Sequence, residues 1–402
     1  MDGKTLIKTL RLRNFLSYGG TSEEIPLQPL NVLIGRNASG KSNFIEAISL
    51  LHATPKDFAQ PIREGGGITE WLWQGQRAAS EAEVEVVVEY PEGAQPLRYR
   101  ISFTAVGQRV EITSESIGTE APETTDDWSE SFFYRFDKTA RLVRDRSKSR
   151  KTAGRGWSAF PIDAFSQEQS SLYLLKSSVH YPEITYLGRK FGEMRLFREE
   201  YFGPYTLARG PQDSALPNDF LLGDGSNLAL VLNDFEHRLH PKRRVLERLN
   251  EFYPEVEDFT TKVQGATVQL FFHEKGLSRP VPALRLSDGT LHFLNLLTIL
   301  CHPTPPPLIC IEEPELGLHP DILPVIAELL VEASQRTQLV VTTHSDALVS
   351  ALSDTPESVL VCERDSEGTH LKRLEPGPLK EWLEKYSLGE LWRMGEIGGT
   401  RW

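Results

Sequence analysis

The sequence predicts an α/β fold with an antiparallel β lobe and a helical insert, and three observations predict it. Short apolar runs at Asn31–Ile34, Leu308–Ile311 and Leu339–Thr342 have the length and continuity of strands buried on both faces of a parallel sheet. The first run ends at Gly35 and leads through a glycine loop into helical spacing at Phe44, Ile45, Ala47, Ile48 and Leu51, half of a βαβ unit. Beyond Gly65-Gly66-Gly67 the period switches to two: Val84, Val86, Val88 and Tyr90 alternate with Glu83, Glu85 and Glu89, an antiparallel meander with one wet face.

Taken in order, residues 1–75 form the N-terminal half of an α/β head, beginning with short strands around Leu6–Leu12 and Ile25–Leu27. Residues 76–165 form the β lobe, in which Pro91-Glu92-Gly93 turns one strand into the next. Residues 166–280, interrupted by Pro182, Pro204, Pro211, Pro217 and Pro254, read as a mostly helical insert. Residues 281–402 complete the head, with an apolar helix at Leu291–Leu300, a strand at Leu308–Ile311, a helix at Ile322–Leu330 and a strand at Leu339–Thr342. The aromatic tail Trp382, Leu383, Tyr386, Leu388, Leu391 and Trp392 is expected to dock onto the head.

Composition narrows the class. The 402 residues carry 44 Lys+Arg against 56 Asp+Glu, a net charge of −12, which argues against a protein that coats nucleic acid through its overall field. The average hides two opposite blocks. Residues 111–130 hold seven acids and no Lys or Arg, whereas 135–155 hold nine basic residues and two acids. Each block reads as a solvated loop or hairpin tip, and Arg144, Arg146, Lys148, Arg150 and Lys151 are the candidate contacts to DNA phosphates. A second basic cluster, Arg238, Lys242, Arg243, Arg244 and Arg248, reads as a solvated helix face paired with Glu247 and Glu251. Cys301, Cys310 and Cys362 sit in or beside apolar runs and read as buried free thiols. No apolar run reaches the ~18 residues of a membrane span, and Met1-Asp2-Gly3-Lys4 is no secretory leader. A cytoplasmic protein without a membrane partner is the expectation.

Gly35-Arg36-Asn37-Ala38-Ser39-Gly40-Lys41-Ser42 matches G-x-x-x-x-G-K-[ST] at every specified position. Its glycines let backbone N–H groups curl around a polyphosphate at a helix N-terminus. Lys41 can reach the β- and γ-phosphates, Ser42 can ligate Mg²⁺, and Asn43 continues the loop into the helix. Phosphoryl transfer next needs a carboxylate near the metal and one near the attacking water. Glu312 and Glu313, at the end of the Leu308–Ile311 run, supply both: Glu312 for the hydrated Mg²⁺, Glu313 for the water.

With these motifs in hand, the chain resembles ATP-binding-cassette ATPases of the SMC/RecF branch. More narrowly, it resembles the small bacterial ATPases grouped with AAA proteins that lack coiled-coil arms and a TOPRIM domain. Leu10–Phe15 is similar to that family's opening strand, Leu286-Ser287-Asp288-Gly289-Thr290 to its signature motif, Glu313–Pro320 to its catalytic-Glu and D-loop segment, and Thr342–Ser345 to its switch histidine. Asp224–Ala229 and the end Gly395–Trp402 resemble the small-ATPase subgroup. The resemblance implies a P-loop NTPase head of ABC/RecF type with cofactors ATP and Mg²⁺. It implies a homodimer closed around ATP, with Ser287, Asp288 and Gly289 of one head facing the P-loop of the other and His344 near the γ-phosphate. The family's Q-loop glutamine, a further metal contact, is Gln167 or Gln169, with Gln169 favoured because Ser170-Ser171-Leu172 follow it. The stretch after His344 is too short for a TOPRIM domain, and Asp365 and Glu367 read as a turn between strands.

Three readings follow from the resemblance. The first is an ATP-gated dimerising switch, the ATPase subunit of a prokaryotic defence or DNA-maintenance system with a separately encoded effector. The second is a self-contained RecF-like repair ATPase that binds DNA. The third is a nucleotide-gated scaffold with negligible turnover.

Overall fold

The computed structural model describes the chain apart from residues 1–2, 22, 76–78, 121–131, 138–139, 146–156, 162–165, 199–202, 204–205 and 400–402. At its centre is a six-stranded sheet in the order β10-β15-β16-β3-β17-β18. Its members are β3 (Leu30–Ile34), β10 (Arg195–Phe197), β15 (Leu308–Glu312), β16 (Gln338–Thr342), β17 (Val359–Arg364) and β18 (Thr369–Arg373). All pairings are parallel except β17 with β18.

The continuous apolar runs are explained by what lies on each side. Leu30, Val32, Ile34, Ile309, Ile311, Leu339 and Val341 enter one core, against the helices Asp288–Leu300 and Leu323–Ser334. Leu33, Leu308, Cys310 and Val340 enter a second core, with the helix Lys41–Ala53 and the antiparallel lobe. Successive side chains of a strand point to opposite faces, so only strands with two covered faces are apolar at every position. All three cysteines are buried free thiols. Among the described residues, no helix is long and apolar enough to cross a membrane.

The second sheet has eight antiparallel strands, ordered β2-β1-β4-β5-β6-β7-β8-β9. They are β1 (Ile7–Arg13), β2 (Ile25–Pro26), β4 (Glu81–Val88), β5 (Leu97–Val106), β6 (Arg109–Thr119), β7 (Phe132–Asp137), β8 (Ala140–Arg144) and β9 (Trp157–Phe160). The lobe therefore recruits β1 and β2 from the N-terminal segment. Gln338 fastens it to the central sheet: its fully buried amide accepts from Leu6 and Ile7 N–H at 3.0 and 2.8 Å and donates to the Ile7 carbonyl at 2.8 Å.

Four expectations need correction. The wet face of the meander is not wet at Glu85, which is buried and paired with Arg98 and Arg100, both at 2.5 Å. The acidic block is not all solvated loop: Glu111 and Glu115 lie on β6, and Glu115 is buried, accepting from Tyr99 Oη, Ser170 Oγ and Ser171 N–H. Nor is the basic block all loop: Arg141 is buried on β8 with its guanidinium 4.0 Å from the Phe136 ring centroid. Finally, 166–280 is not helical throughout: the helices Pro182–Glu193, Leu228–Glu236 and Leu239–Phe252 share it with a small antiparallel sheet. β12 (Val256–Gln264) and β13 (Thr267–Glu274) form a long hairpin, joined by β11 (Gln212–Asp213) and β14 (Val281–Pro282). β13 alternates regularly, with Val268, Leu270 and Phe272 inward, but β12 does not: its register shifts between Val256 and Asp258, and Val263 is exposed.

Candidate nucleotide site

The loop between β3 and the helix Lys41–Ala53 adopts backbone angles that its sequence is built to allow. Gly35 and Gly40 have φ of 148° and 106°, and Ala38 sits at 61°. Space matters as well as angle. A Cβ on Gly40 would lie 2.4 Å from Thr369 Oγ1 and 2.8 Å from Ser17 Oγ. Tyr18 Oη donates to the Gly40 carbonyl at 3.1 Å, and Thr369 Oγ1 to the Ser39 carbonyl at 3.0 Å. The turn after β1 and the start of β18 thus hold the loop from behind.

Lys41 is buried, and its ammonium donates to the carbonyls of Gly35 and Arg36, each at 2.9 Å. Burial holds its pKa below the usual lysine value, against the pull of Cys362, Glu313 and Glu315. Asn37, Ala38, Gly40, Lys41, Ser42 and Asn43 line a cleft of about 230 Å³ together with Glu313 and His344. Two motifs nearly three hundred residues downstream of the loop are thereby brought to it.

The parallel sheet does this. β15 and β16 pair with Glu312 opposite Thr342, and β16 pairs with β3 with Thr342 opposite Leu33. Three consecutive strand ends therefore discharge the loop, the two carboxylates and the Thr343-His344 turn along one edge, where ligands of open parallel sheets bind. Glu313 occupies the left-handed region at φ 47°, unusual for a side-chain-bearing residue, and its N–H donates to the Thr342 carbonyl at 2.9 Å. His344 Nε2 lies 3.5 Å from Glu313 Oε1.

Ser42 and Glu312 offer oxygens of the kind Mg²⁺ takes, and that ion needs few protein ligands because it keeps waters and phosphate oxygens. Glu312 borders a small pocket beside the cleft, shared with Glu313 and Arg198. Arg198 bridges the helix Lys41–Ala53 and Glu312. Its Nη1 donates to Glu46, one helical turn beyond Ser42, at 2.7 Å, and its Nε lies 3.6 Å from Glu312. The donor set fits the ion.

The signature segment is placed elsewhere. Ser287 caps the helix Asp288–Leu300, its Oγ accepting from Thr290 N–H at 3.1 Å. No residue of 286–290 lines the loop cleft. Arg209, 8% exposed, organises this segment. It donates to the Gly203 carbonyl at 2.9 Å and the Leu286 carbonyl at 2.5 Å, and it pairs with Asp288.

A family model described as "AAA domain, putative AbiEii toxin, Type IV TA system" matches residues 30–350. The chain belongs to this AAA family. It is 26% identical over 279 residues to the DNA replication and repair protein RecF of Gloeothece citriformis, covering 66% of this chain and 61% of that protein. It is 54% identical over 48 residues to RecF of Streptococcus uberis, covering 12% and 13%. The chain thus spans less than two thirds of the length of these curated relatives. Among solved structures it is similar to the Smc head bound to the C-winged helix domain of ScpA, with a TM-score of 0.59, 16% identity, and coverage of 92% of this chain and 98% of that one. It is likewise similar to the Smc head with an extended coiled coil from Pyrococcus furiosus, with a TM-score of 0.58, 15% identity, and coverage of 94% and 99%. The fold is that of an SMC head.

Other sequence-predicted residues of this AAA-family head lie away from the cleft. Neither Gln167 nor Gln169 lines it. The Gln167 amide, in the orientation that satisfies its surroundings, donates to Glu111 at 2.8 Å. Arg144 closes β8, partly buried, while Arg146, Lys148, Arg150 and Lys151 lie outside the described residues. The second basic cluster keeps its expected pairs, Arg243 with Glu247 on an exposed face and Arg248 with Glu251; Arg244 and Arg248 also pair with Glu328 and Glu332, which docks the helix Leu239–Phe252 on Leu323–Ser334, and Lys242 pairs with Asp258 of β12.

Sequence reasoning missed three residues. Glu315 accepts from Thr343 Oγ1 and His344 N–H, both at 2.7 Å, and so orients the histidine; burial raises its pKa, against those two donors. Its place in Glu313-Pro314-Glu315 was a legible signal. Arg198 and Arg209 carried none, because nothing local distinguishes them from surface arginines.

Proposed function

We propose that this chain is an ATP-binding and ATP-hydrolysing head that works as a dimerising switch. The observation that carries the reading is a division of labour. The loop, Glu313 and His344 share one cleft, whereas Ser287, Asp288 and Gly289 contribute nothing to it. A serine at a helix N-terminus suits a γ-phosphate, so the segment is suited to serve the cleft of a second copy.

Within one head, the loop amides and Lys41 bind the polyphosphate and orient its terminal group. Ser42 and Glu312 would hold Mg²⁺, which when bound supplies neutralisation of the phosphate charge. Glu313 accepts a hydrogen bond from the attacking water and aligns it. His344, held by Glu315 through its backbone, lies beside both that carboxylate and the γ-phosphate position. Reopening after hydrolysis would be read by a partner.

The family description, naming a toxin–antitoxin system, favours the ATPase subunit of a prokaryotic defence or DNA-maintenance system acting with a separate effector. The RecF likeness over 66% of the chain supports a second reading, a repair ATPase that touches DNA directly. Salt-sensitive DNA binding that disappears when Arg144, Arg146, Lys148 and Arg150 are neutralised would select the second. For the switch itself, Glu313→Gln should keep ATP binding and accumulate a dimer in sedimentation velocity. A Glu313→Gln variant that stays monomeric at saturating Mg-ATP sinks the dimer model. Turnover in the wild type no greater than in Lys41→Ala would reduce the chain to a nucleotide-gated scaffold.

A further inference from the structure

The C-terminal run Gly395–Gly399 has no role in the site described above, yet the fold brings it to the loop. The helix Leu388–Met394 is docked through buried Leu388, Leu391 and Trp392 and ends at Gly395, with φ 84°. The chain then turns back through Gly398 and Gly399, at φ 80° and 59°, a region that residues with a Cβ rarely adopt. Two hydrogen bonds fix this turn. Trp392 Nε1 donates to the Gly399 carbonyl at 2.7 Å, and the Gly399 N–H donates to Glu363 Oε1 at 2.8 Å.

The turn lays Gly399 on Gly35, the first glycine of the phosphate loop. A Cβ on Gly399 would lie 2.8 Å from Val361 Cγ1 and 3.4 Å from Gly35 Cα. Gly35 is equally confined from β17, since its own Cβ would lie 2.3 Å from the Cys362 carbonyl oxygen. The same Gly35 carbonyl accepts one of the two hydrogen bonds of the Lys41 ammonium. A shift at Gly35 therefore moves both the loop amides and the anchor of its lysine.

We propose that the docked C-terminal turn, Trp392 to Gly399, is a positioning element of the phosphate loop, so that seating of Gly399 and binding of ATP favour one another. The inference rests on the reading that the loop binds ATP. With the turn seated, Gly399 packs against Gly35 and limits how far the loop backbone can shift on that side. With the turn displaced, the loop must be ordered by the nucleotide itself, which lowers affinity. Linkage is reciprocal, so ATP must strengthen the seating of the turn by the same factor.

The test is the dissociation constant of a fluorescent ATP analogue with Mg²⁺, measured for the full chain and four variants. Gly399→Ala inserts a Cβ that meets Val361 Cγ1 and so unseats the turn from β17 and Gly35. Trp392→Phe removes one hydrogen bond and keeps the aromatic packing. Gly265→Ala is the control for strain alone, having a φ of 61° and no heavy atom within 4 Å of its Cβ position. Lys41→Ala reports the loop.

Gly399→Ala should bind about tenfold more weakly, within the usual range of coupling between sites. Trp392→Phe should bind a few-fold more weakly, and Gly265→Ala like the wild type. Amide exchange at Gly399 should slow when ATP is added. Unchanged affinity in both tail variants, or equal weakening in Gly265→Ala, overturns the proposal. Should Gly399→Ala fail to fold, Trp392→Phe and the amide exchange decide. A wild type that binds ATP no better than Lys41→Ala refutes the ATP reading and the inference with it, a result distinct from a tail variant that binds normally.

Discussion

Replacing Arg209 with methionine tests whether the signature segment is held in place from within its own head. The methionine keeps the aliphatic stem and deletes the guanidinium. Two charge-assisted hydrogen bonds disappear, to the carbonyls of Gly203 and Leu286, each worth about 1.5–3 kcal/mol net. The pair with Asp288, whose side chain is 48% exposed, adds at most about 1 kcal/mol. A loss of about 3–7 kcal/mol shifts the ratio of seated to unseated segment by at least ~100-fold. The segment can open locally, so global stability should fall by less than this sum. The assay is sedimentation velocity in the Glu313→Gln background. The protein concentration giving half dimer with Mg-ATP should rise at least ~10-fold when Arg209→Met is added, since only the seated fraction is competent. ATP affinity of the single head should be unchanged, because no residue of 286–290 lines its cleft. An unchanged dimer midpoint in a folded double variant would refute the reasoning.

Two further outcomes concern stability. Burial, together with the charge of Lys56, lowers the pKa of His52 to about 4, so the folded protein keeps the ring neutral where the unfolded chain protonates it. The stabilisation is therefore complete above about pH 6.5 and is lost as the pH falls towards 4, at most about 3 kcal/mol. His52→Gln should flatten the decline in Tm over that window, and an unaltered pH profile would contradict it. Glu85→Gln leaves Arg98 and Arg100 facing each other without their shared carboxylate. With both arginines partly exposed, the cost should be about 2–3 kcal/mol in urea unfolding, less than for a fully buried pair; a change under ~0.5 kcal/mol would show that solvent already satisfies them.

The sequence alone determined the nucleotide loop, the paired carboxylates and the order of the motifs, because each is a short stretch whose chemistry demands particular residues at fixed spacing. It also determined the central strands, whose unbroken apolar runs follow from having a core on both faces. Tertiary structure decided everything that depends on distant segments meeting. It decided that Glu85, Glu115 and Arg141 are interior, since a charged residue reads as solvated until its partner strand is known. It made a hairpin of β12 and β13, where a register shift between Val256 and Asp258 breaks the alternation of β12. It chose which arginines matter: Arg198 and Arg209 are set apart only by where the chain folds them, beside Glu312 and Asp288. And it laid Gly399 against Gly35, a contact between two glycines with no side chains to announce it.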